Sequence, residues 1–135
     1  MYCTPEDVRG ELYLPIVAQM TAKFPGNGEF DAFLERHIAA ATNFADAMLS
    51  RMFPVPLHSP VPEAIRTAVA KEAAYYAAAQ FSEHEELMQD RHITATAILE
   101  AFVASGQLPG SEIPSRRVVG GSDAQVFTKS VLDLW

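Results

Sequence analysis

Apolar residues recur at steps of three and four along residues 31–52, a spacing that places them on one side of an α-helix. Charged residues such as Glu35 and Arg36 lie largely off that side. We therefore predict one long amphipathic helix, from Asp31 to about Met52, that packs against the rest of the chain. Its predicted apolar face consists of Phe30, Phe33, Leu34, Ile38, Ala41, Phe44, Ala45, Met48, Leu49 and Met52.

A proline-rich segment follows this helix, and it reads Phe53-Pro54-Val55-Pro56-Leu57 and then Ser59-Pro60-Val61-Pro62. Proline has no backbone N–H and restricts the residue before it, so these prolines end the helix and predict a rigid, extended elbow. Pro62 suits the first position of a second helix, where a missing N–H costs nothing. The elbow is expected to fix the angle between the two helices, and its predicted structural residues are Arg51, Phe53, Pro54, Pro56, Pro60 and Pro62.

An alanine-rich helix is predicted from Pro62 or Glu63 to about Phe81. Alanine has the highest helix propensity, and its small side chain lets neighbouring helices approach closely. A helix of this kind is expected either at the centre of a bundle or pressed against another subunit. Its seven alanines of note are Ala68, Ala70, Ala73, Ala74, Ala77, Ala78 and Ala79.

Three further helices complete a predicted all-α bundle of about four to five helices in residues 1–109. Thr4 is expected to cap a short helix, a second is expected from Ile16 to Lys23, and a last one from about Asp90 to Ala104. Ser82 begins a further capping pattern, and Gly106 is expected to end the last helix in the left-handed conformation. The predicted buried face of the last helix consists of Ile93, Ala97, Ile98, Ala101 and Phe102.

The helical pattern is lost after Pro109, and residues 110–135 are expected to form an extended C-terminal arm. The arm ends in apolar residues that are too costly to leave in water, so it is expected to dock on its own domain or on a neighbour. Arg116 and Arg117 serve either solubility or a contact with an acidic patch, including one on another copy. The predicted partner-binding residues are Arg116, Arg117, Val126, Phe127, Leu132, Leu134 and Trp135.

Composition and charge narrow the classes of function. The chain has 135 residues, 49% apolar and 20% charged, with a formal net charge of −7. Because the chain is acidic, we expect neither sequence-specific binding of nucleic acid nor binding to an anionic membrane surface. No apolar run reaches the length of a membrane span, and the first residues do not resemble a signal peptide. Cys3 is the only cysteine, and Glu6 and Asp7 beside it should raise the pKa of its thiol.

Candidate chemistry is sparse. His84 and His92, eight residues apart, are the only candidate metal pair, and no His-Glu-x-x-His motif supports them. The serines lack a nucleophile-elbow context, and nothing in the sequence buries the acidic residues near His84. We therefore expect a protein without enzymatic activity, cofactor or metal.

The order of these motifs resembles a family of small helical proteins from the head-morphogenesis region of tailed phages and prophages. They belong to the wider group of head–tail connector (adaptor) proteins, and the Mu-like phage members are the most similar. The likeness covers nearly the whole chain. The motifs that carry it are Met1-Tyr2-Cys3-Thr4-Pro5-Glu6-Asp7-Val8, Leu49-Ser50-Arg51-Met52-Phe53-Pro54-Val55-Pro56-Leu57, Pro60-Val61-Pro62 with Ile65, the Ile93 to Val103 helix with Gly106, and Val126-Phe127-Thr128-Lys129-Ser130-Val131-Leu132.

This resemblance implies a structural virion protein that joins the phage head to the tail as a ring, connector or neck protein. The implied partners are further copies of itself, the portal and tail-completion proteins. The implied locations are the host cytoplasm during assembly and then the virion neck. An acidic ring would repel the DNA backbone and let the genome pass without sequence-specific contact. The alternative is a helical protein–protein interaction module of bacterial origin without a virion role.

Overall fold

Five α-helices and one short 3₁₀ turn make up the regular structure of residues 1–26, 28–80 and 86–107, which the computed structural model describes. No strand occurs in these ranges, and the all-α class is therefore confirmed. The elements in chain order are α1 (Pro5–Arg9), α2 (Leu14–Lys23), α3 (Glu29–Leu49), α4 (Glu63–Ala79), the turn η1 (Glu86–Met88) and α5 (Gln89–Ser105).

Helix α1 begins with the predicted cap. The Thr4 hydroxyl accepts a hydrogen bond from the backbone N–H of Asp7 at 3.3 Å, and the Asp7 carboxylate accepts one from the backbone N–H of Thr4 at 3.0 Å. These reciprocal bonds satisfy two N–H groups that have no partner within the helix. The bond from Thr4, and then the Arg66 guanidinium, lower the pKa of Asp7.

Helix α2 begins at Leu14, two residues before the predicted start. Pro15 occupies the first turn of this helix, where its missing N–H is not needed. Ile16 and Met20 are fully buried. Phe24, just after the helix, stacks on Phe33 of α3 with ring centroids 4.7 Å apart, so α2 packs against the long helix.

Helix α3 is the predicted long helix, displaced slightly toward the N-terminus. It ends at Leu49 rather than at Met52, and the backbone N–H groups of Met52 and Phe53 both donate to the Leu49 carbonyl. Met52 therefore lies in a turn and is 52% exposed, so its predicted place on the apolar face was wrong. Buried residues of α3 are Phe33, Leu34, Ile38, Ala41, Thr42, Ala45 and Leu49.

Helix α4 occupies the centre of the bundle, the first of the two placements predicted for it. It contacts α1, α3 and η1. His37, in the first half of α3, hydrogen-bonds Gln80 at the end of α4, so the two helices run in opposite directions. Its buried residues are Ile65, Ala68, Val69, Ala70, Glu72, Ala73, Ala74, Ala77 and Ala78.

Helix α5 presents a different face to the core from the predicted one. Ala95 and Leu99 are its buried residues, whereas Ile93 is 63% exposed. Ala97 and Ala101 are also exposed, and Ile98 and Phe102 are half-buried. The prediction was wrong because apolar residues occur on several sides of this helix, so their spacing does not select one face. Gly106 has φ of 71° beyond its end, as predicted.

The chain divides into two units, Met1–Ala104 and Ser105–Trp135. In the second, the described residues include Ser105, whose hydroxyl accepts a hydrogen bond from the backbone N–H of Gln107 at 3.1 Å. The predicted boundary after residue 109, the arm at 110–135 and the Ser82 cap all lie outside the described residues. None of the described helices combines the length and apolar character that a membrane span requires.

Candidate assembly surfaces

Tyr2 fastens the elbow to α3. Its phenol donates a hydrogen bond to Oδ1 of Asp46 at 2.5 Å and accepts one from the backbone N–H of Leu57 at 2.7 Å. Its backbone N–H donates to the hydroxyl of Thr42 at 3.3 Å. One buried side chain therefore connects the N-terminal segment, the long helix and the proline-rich elbow.

The environment of Tyr2 keeps its phenol protonated. Burial raises the pKa of Tyr2 to about 12, and the hydrogen bond to Asp46 acts in the same direction. A neutral phenol can donate to one group and accept from another at the same time, which is what this position requires. The sequence contains no local signal for this contact, because Asp46 and Leu57 are 44 and 55 residues away.

The predicted elbow residues lie between α3 and α4. Phe53 is buried, and its N–H donates to the carbonyl of Leu49 at 2.8 Å. Arg51 is exposed, and its Nε donates to the carbonyl of Met48 at 3.2 Å. The segment contains two cis peptide bonds, Val55–Pro56 and Ser59–Pro60.

Pro62 forms the N-cap of α4 rather than its first residue. Its carbonyl accepts hydrogen bonds from Ile65 and Arg66 at 3.0 and 3.1 Å, so the elbow ends directly in the first turn of α4. Pro54, Pro56 and Pro60 are exposed. The contacts of the elbow with the core are therefore made mainly by Phe53 and by the backbone of Leu57.

A buried carboxylate joins α4 to α5. Glu72 is 1% exposed, and Nδ1 of His92 lies 2.8 Å and 3.0 Å from its two carboxylate oxygens. Tyr76 also hydrogen-bonds Glu72, and burial followed by this bond raises the pKa of Tyr76. The His92 ring stacks on Tyr75 with centroids 5.0 Å apart and lies 6.2 Å from Phe44. His92 thus positions α5 against both α3 and α4.

A set of ion pairs joins the segment between α1 and α2 to the later helices. Glu11 accepts from Lys71 of α4 at 3.0 Å and lies 3.3 Å from Nε of Arg91 in α5. Asp7 pairs with Arg66 at 3.1 Å. The acidic members of these pairs and Arg66 border a surface cavity of about 120 Å³, which is lined by Asp7, Glu11, Glu63, Arg66, Thr67 and Ala70. Because Asp7, Glu11 and Arg66 in this cavity are all engaged in ion pairs within the fold, we assign it a structural role.

The remaining sequence predictions of chemistry have mixed outcomes. Cys3 is buried, and desolvation followed by the charge of Asp7 raises the pKa of its thiol to about 12, as expected. His92 pairs with Glu72, and His84 lies outside the described residues. Among the described residues, no group of three His, Cys, Asp or Glu side chains is arranged to hold a metal ion.

The predicted arm residues also lie outside the described part of the chain: Arg116, Arg117, Val126, Phe127, Leu132, Leu134 and Trp135. The large apolar residues that are exposed in the described part of the chain are Met1, Tyr13, Leu14, Met52, Leu87 and Ile93.

Residues 2–111 match the family model described as Bacteriophage Mu, Gp36. This chain belongs to the bacteriophage Mu Gp36 family. The match covers the five described helices and the elbow, and it confirms the predicted kinship with Mu-like phage proteins. Membership in the Gp36 family indicates a phage structural or morphogenesis role. Neither a curated protein nor a solved structure gives a significant match to the chain.

Proposed function

We propose that this protein joins the phage head to the tail, as a ring-forming head–tail connector, adaptor or neck protein. The observation that carries the proposal is the Gp36 family match across residues 2–111, which includes every described helix. The proposed partners are further copies of the chain, the portal and tail-completion proteins. The protein would assemble in the host cytoplasm and remain in the virion neck.

The packing of the helical unit supports a structural role. The ion pairs of Glu11 and the hydrogen bonds of Tyr2 connect residues far apart in sequence, and they hold the N-terminal segment on α3, α4 and the elbow. A closed ring requires each subunit to repeat one geometry, since small differences in subunit angle accumulate around it. This subunit meets the requirement, because Tyr2 bonds the elbow at Leu57 and Phe53 bonds it to the end of α3 at Leu49.

The net charge of −7 supports passage of DNA through such a ring rather than DNA binding. Repulsion between an acidic lining and phosphates reduces sticking, and physiological salt confines the effect to about 8–10 Å. We propose a role without catalysis or cofactor. Glu72 is a fully buried carboxylate, and it is paired with His92.

Complementation tests this function. A phage or prophage that lacks the gene should accumulate separate DNA-filled heads and tails, which electron microscopy distinguishes from joined particles. The full-length chain supplied in trans should restore joining, and a chain that lacks residues 110–135 should fold as a helical monomer but fail to restore it. Normal joining without the gene would refute the proposal, and a persistent monomer in the presence of portal would favour the interaction-module alternative.

A further inference from the structure

The side of α5 that faces away from the bundle combines exposed apolar residues with acidic ones. Asp90, Ile93, Ala97, Glu100 and Ala101 are all exposed. At about 100° per residue these positions, together with Ala104, lie within about 100° on the helix. Leu87 and Glu86 in the adjoining turn η1 are also exposed, Leu87 to 56%, and we group them with these positions. We call the whole set, residues 86, 87, 90, 93, 97, 100, 101 and 104, the α5 outer face.

Ile93 is a large apolar residue that remains exposed in the described part of the chain. Ile93 is 63% exposed, although the same helix buries Ala95 and Leu99 completely. The position of α5 is set by His92 on Glu72 and by Arg91 on Glu11, which turn the opposite side of the helix toward α4. The apolar residues of the outer face therefore remain available for a partner.

The charges of the outer face favour a partner with basic residues. Among the described residues, neither Glu86 nor Glu100 forms a salt bridge, and Asp90 pairs with the neighbouring Arg91 at 2.7 Å. The first 107 residues contain 14 Asp and Glu but seven Lys and Arg, whereas the last 28 contain three of each. The C-terminal segment thus carries no net charge, and it places Arg116 and Arg117 directly before Val118 and Val119.

The sequence of this segment complements the outer face in two respects. The adjacent Arg116 and Arg117 can pair with Glu100, and apolar residues such as Val119 and Phe127 can cover Ile93, which lies about 10 Å away along the helix. Residues 108–135 span up to about 90 Å when extended, far more than the roughly 25 Å length of α5. The segment is therefore long enough to reach a neighbouring subunit and still lie along this face.

We propose that the α5 outer face is the acceptor surface for the C-terminal segment of a second copy of this chain. The inference rests on the proposed ring-forming function. A ring closes through head-to-tail contacts, which require two different complementary surfaces on each subunit. The C-terminal segment is the donor, and the outer face is the acceptor.

Cysteine cross-linking of full-length chains tests the contact directly. One chain carries Ile93→Cys, and a second carries Val119→Cys or Phe127→Cys. The two are mixed with portal protein under mild oxidation. Cys3 is buried, with a thiol pKa raised to about 12, and serves as an unreactive background. Leu14→Cys is the matched control for Ile93→Cys because Leu14 is 82% exposed on another helix. We expect cross-linked heterodimers with Ile93→Cys at a yield at least about tenfold above the control.

Charge reversal supplies an independent arm of the test. Glu100→Lys should weaken the association of copies by up to about fivefold, the effect of one exposed ion pair. Arg116→Glu with Arg117→Glu should weaken it similarly, and combining the changes on both surfaces should restore it. Glu35→Lys, an exposed position on α3, changes the net charge equally and should leave association unaltered. Sedimentation of the full-length chains measures each effect.

Three outcomes would overturn the proposal. Rings that form normally without a cross-link at Ile93→Cys would place the acceptor elsewhere and leave the proposed function intact. A cross-link that forms only within one chain carrying both cysteines, independent of dilution, would mean that each segment covers its own helix. The absence of any oligomer, together with normal head–tail joining in phage that lack the gene, would refute the proposed function as well.

Discussion

Tyr2→Phe removes one hydroxyl and is expected to loosen the elbow. The substitution keeps the aromatic ring, which is 7% exposed, so packing changes little. It removes the hydrogen bond to the Asp46 carboxylate at 2.5 Å and leaves the Leu57 N–H without its acceptor. A hydrogen bond to a charged group contributes about 1.5–3 kcal/mol, and a donor left unsatisfied adds to the loss.

We expect Tyr2→Phe to lower the free energy of unfolding by about 2 kcal/mol. Leu57 is only half-buried, so water can reach its N–H in the variant, and this limits the penalty. For a helical unit of this size, such a loss corresponds to a fall in Tm of roughly 8–16 °C. Urea unfolding followed by circular dichroism at 222 nm, together with a thermal scan, measures both quantities.

The matched control is Tyr13→Phe. Tyr13 is 38% exposed, and its described contact is through the ring, over which Arg91 lies 5.0 Å from the centroid. Loss of its hydroxyl should change the unfolding free energy by less than about 0.5 kcal/mol. If the two variants lost equal stability, or if Tyr2→Phe lost less than about 0.5 kcal/mol, the assigned role of Tyr2 would be wrong.

The pH dependence of this difference has a defined sign. The pKa of Tyr2 is raised to about 12 in the folded chain, from an ordinary value of 10.0. Its contribution to stability is therefore complete below pH 10 and is lost as the pH rises through about 12. The stability difference between Tyr2→Phe and the parent chain should shrink over that interval, and a constant difference would contradict the assigned hydrogen bonds.

Three further predictions concern stability measured by urea unfolding. His92→Ala leaves the buried Glu72 carboxylate with the Tyr76 hydrogen bond but without its His92 partner, and it should cost about 2 kcal/mol. Glu72→Gln in the same chain should recover a part of this loss, and a cost near zero would refute the pairing. Burial lowers the pKa of His37, so the free energy of unfolding should fall as the pH drops below about 6.5. His37→Gln should make the free energy of unfolding depend less steeply on pH in this range, and an unchanged dependence would refute the prediction. Gly28→Ala should cost about 1 kcal/mol because the φ angle of Gly28 is 78°, in the left-handed region that alanine disfavours. Gly10→Ala should be neutral or stabilising, because Gly10 has φ of −65° and an added Cβ would meet no close contact. Equal effects of the two substitutions would refute the argument that φ decides the cost.

Local signals in the sequence predicted the elements best. The Thr4 cap depends on Asp7 three residues away, and the prolines after Phe53 end the long helix without help from the rest of the fold. The observed ends of α2 and α3 differ from the predicted ones by two or three residues, because the spacing of apolar residues does not fix a helix end. Pro15 shows why, since a proline in the first turn and a proline that breaks a helix look the same in sequence.

Contacts between distant residues were not predictable in the same way. Tyr2 belongs to the opening motif of the sequence, but its partners Asp46 and Leu57 are fixed only by the fold. Glu72 lies among the apolar positions of α4. An acidic residue at such a position indicates a buried carboxylate that needs a partner, and this was the one local sign of the pair. Its partner His92 was considered as a metal ligand instead. The face of α5 was mispredicted because its burial depends on where His92 and Arg91 are held.

The contacts of the N-terminal segment have a consequence for synthesis of the chain on the ribosome. Tyr2 and Glu11 emerge before the other residues of their contacts, which are Leu57, Lys71 and Arg91. The ion pairs of Glu11 can therefore form only after α4 and α5 have been made, although Glu11 is translated before them. Until then, buried residues such as Val8 and Leu12 remain in contact with water. The contacts of the first twelve residues with α4 and α5 therefore cannot form before most of the helical unit has been synthesised.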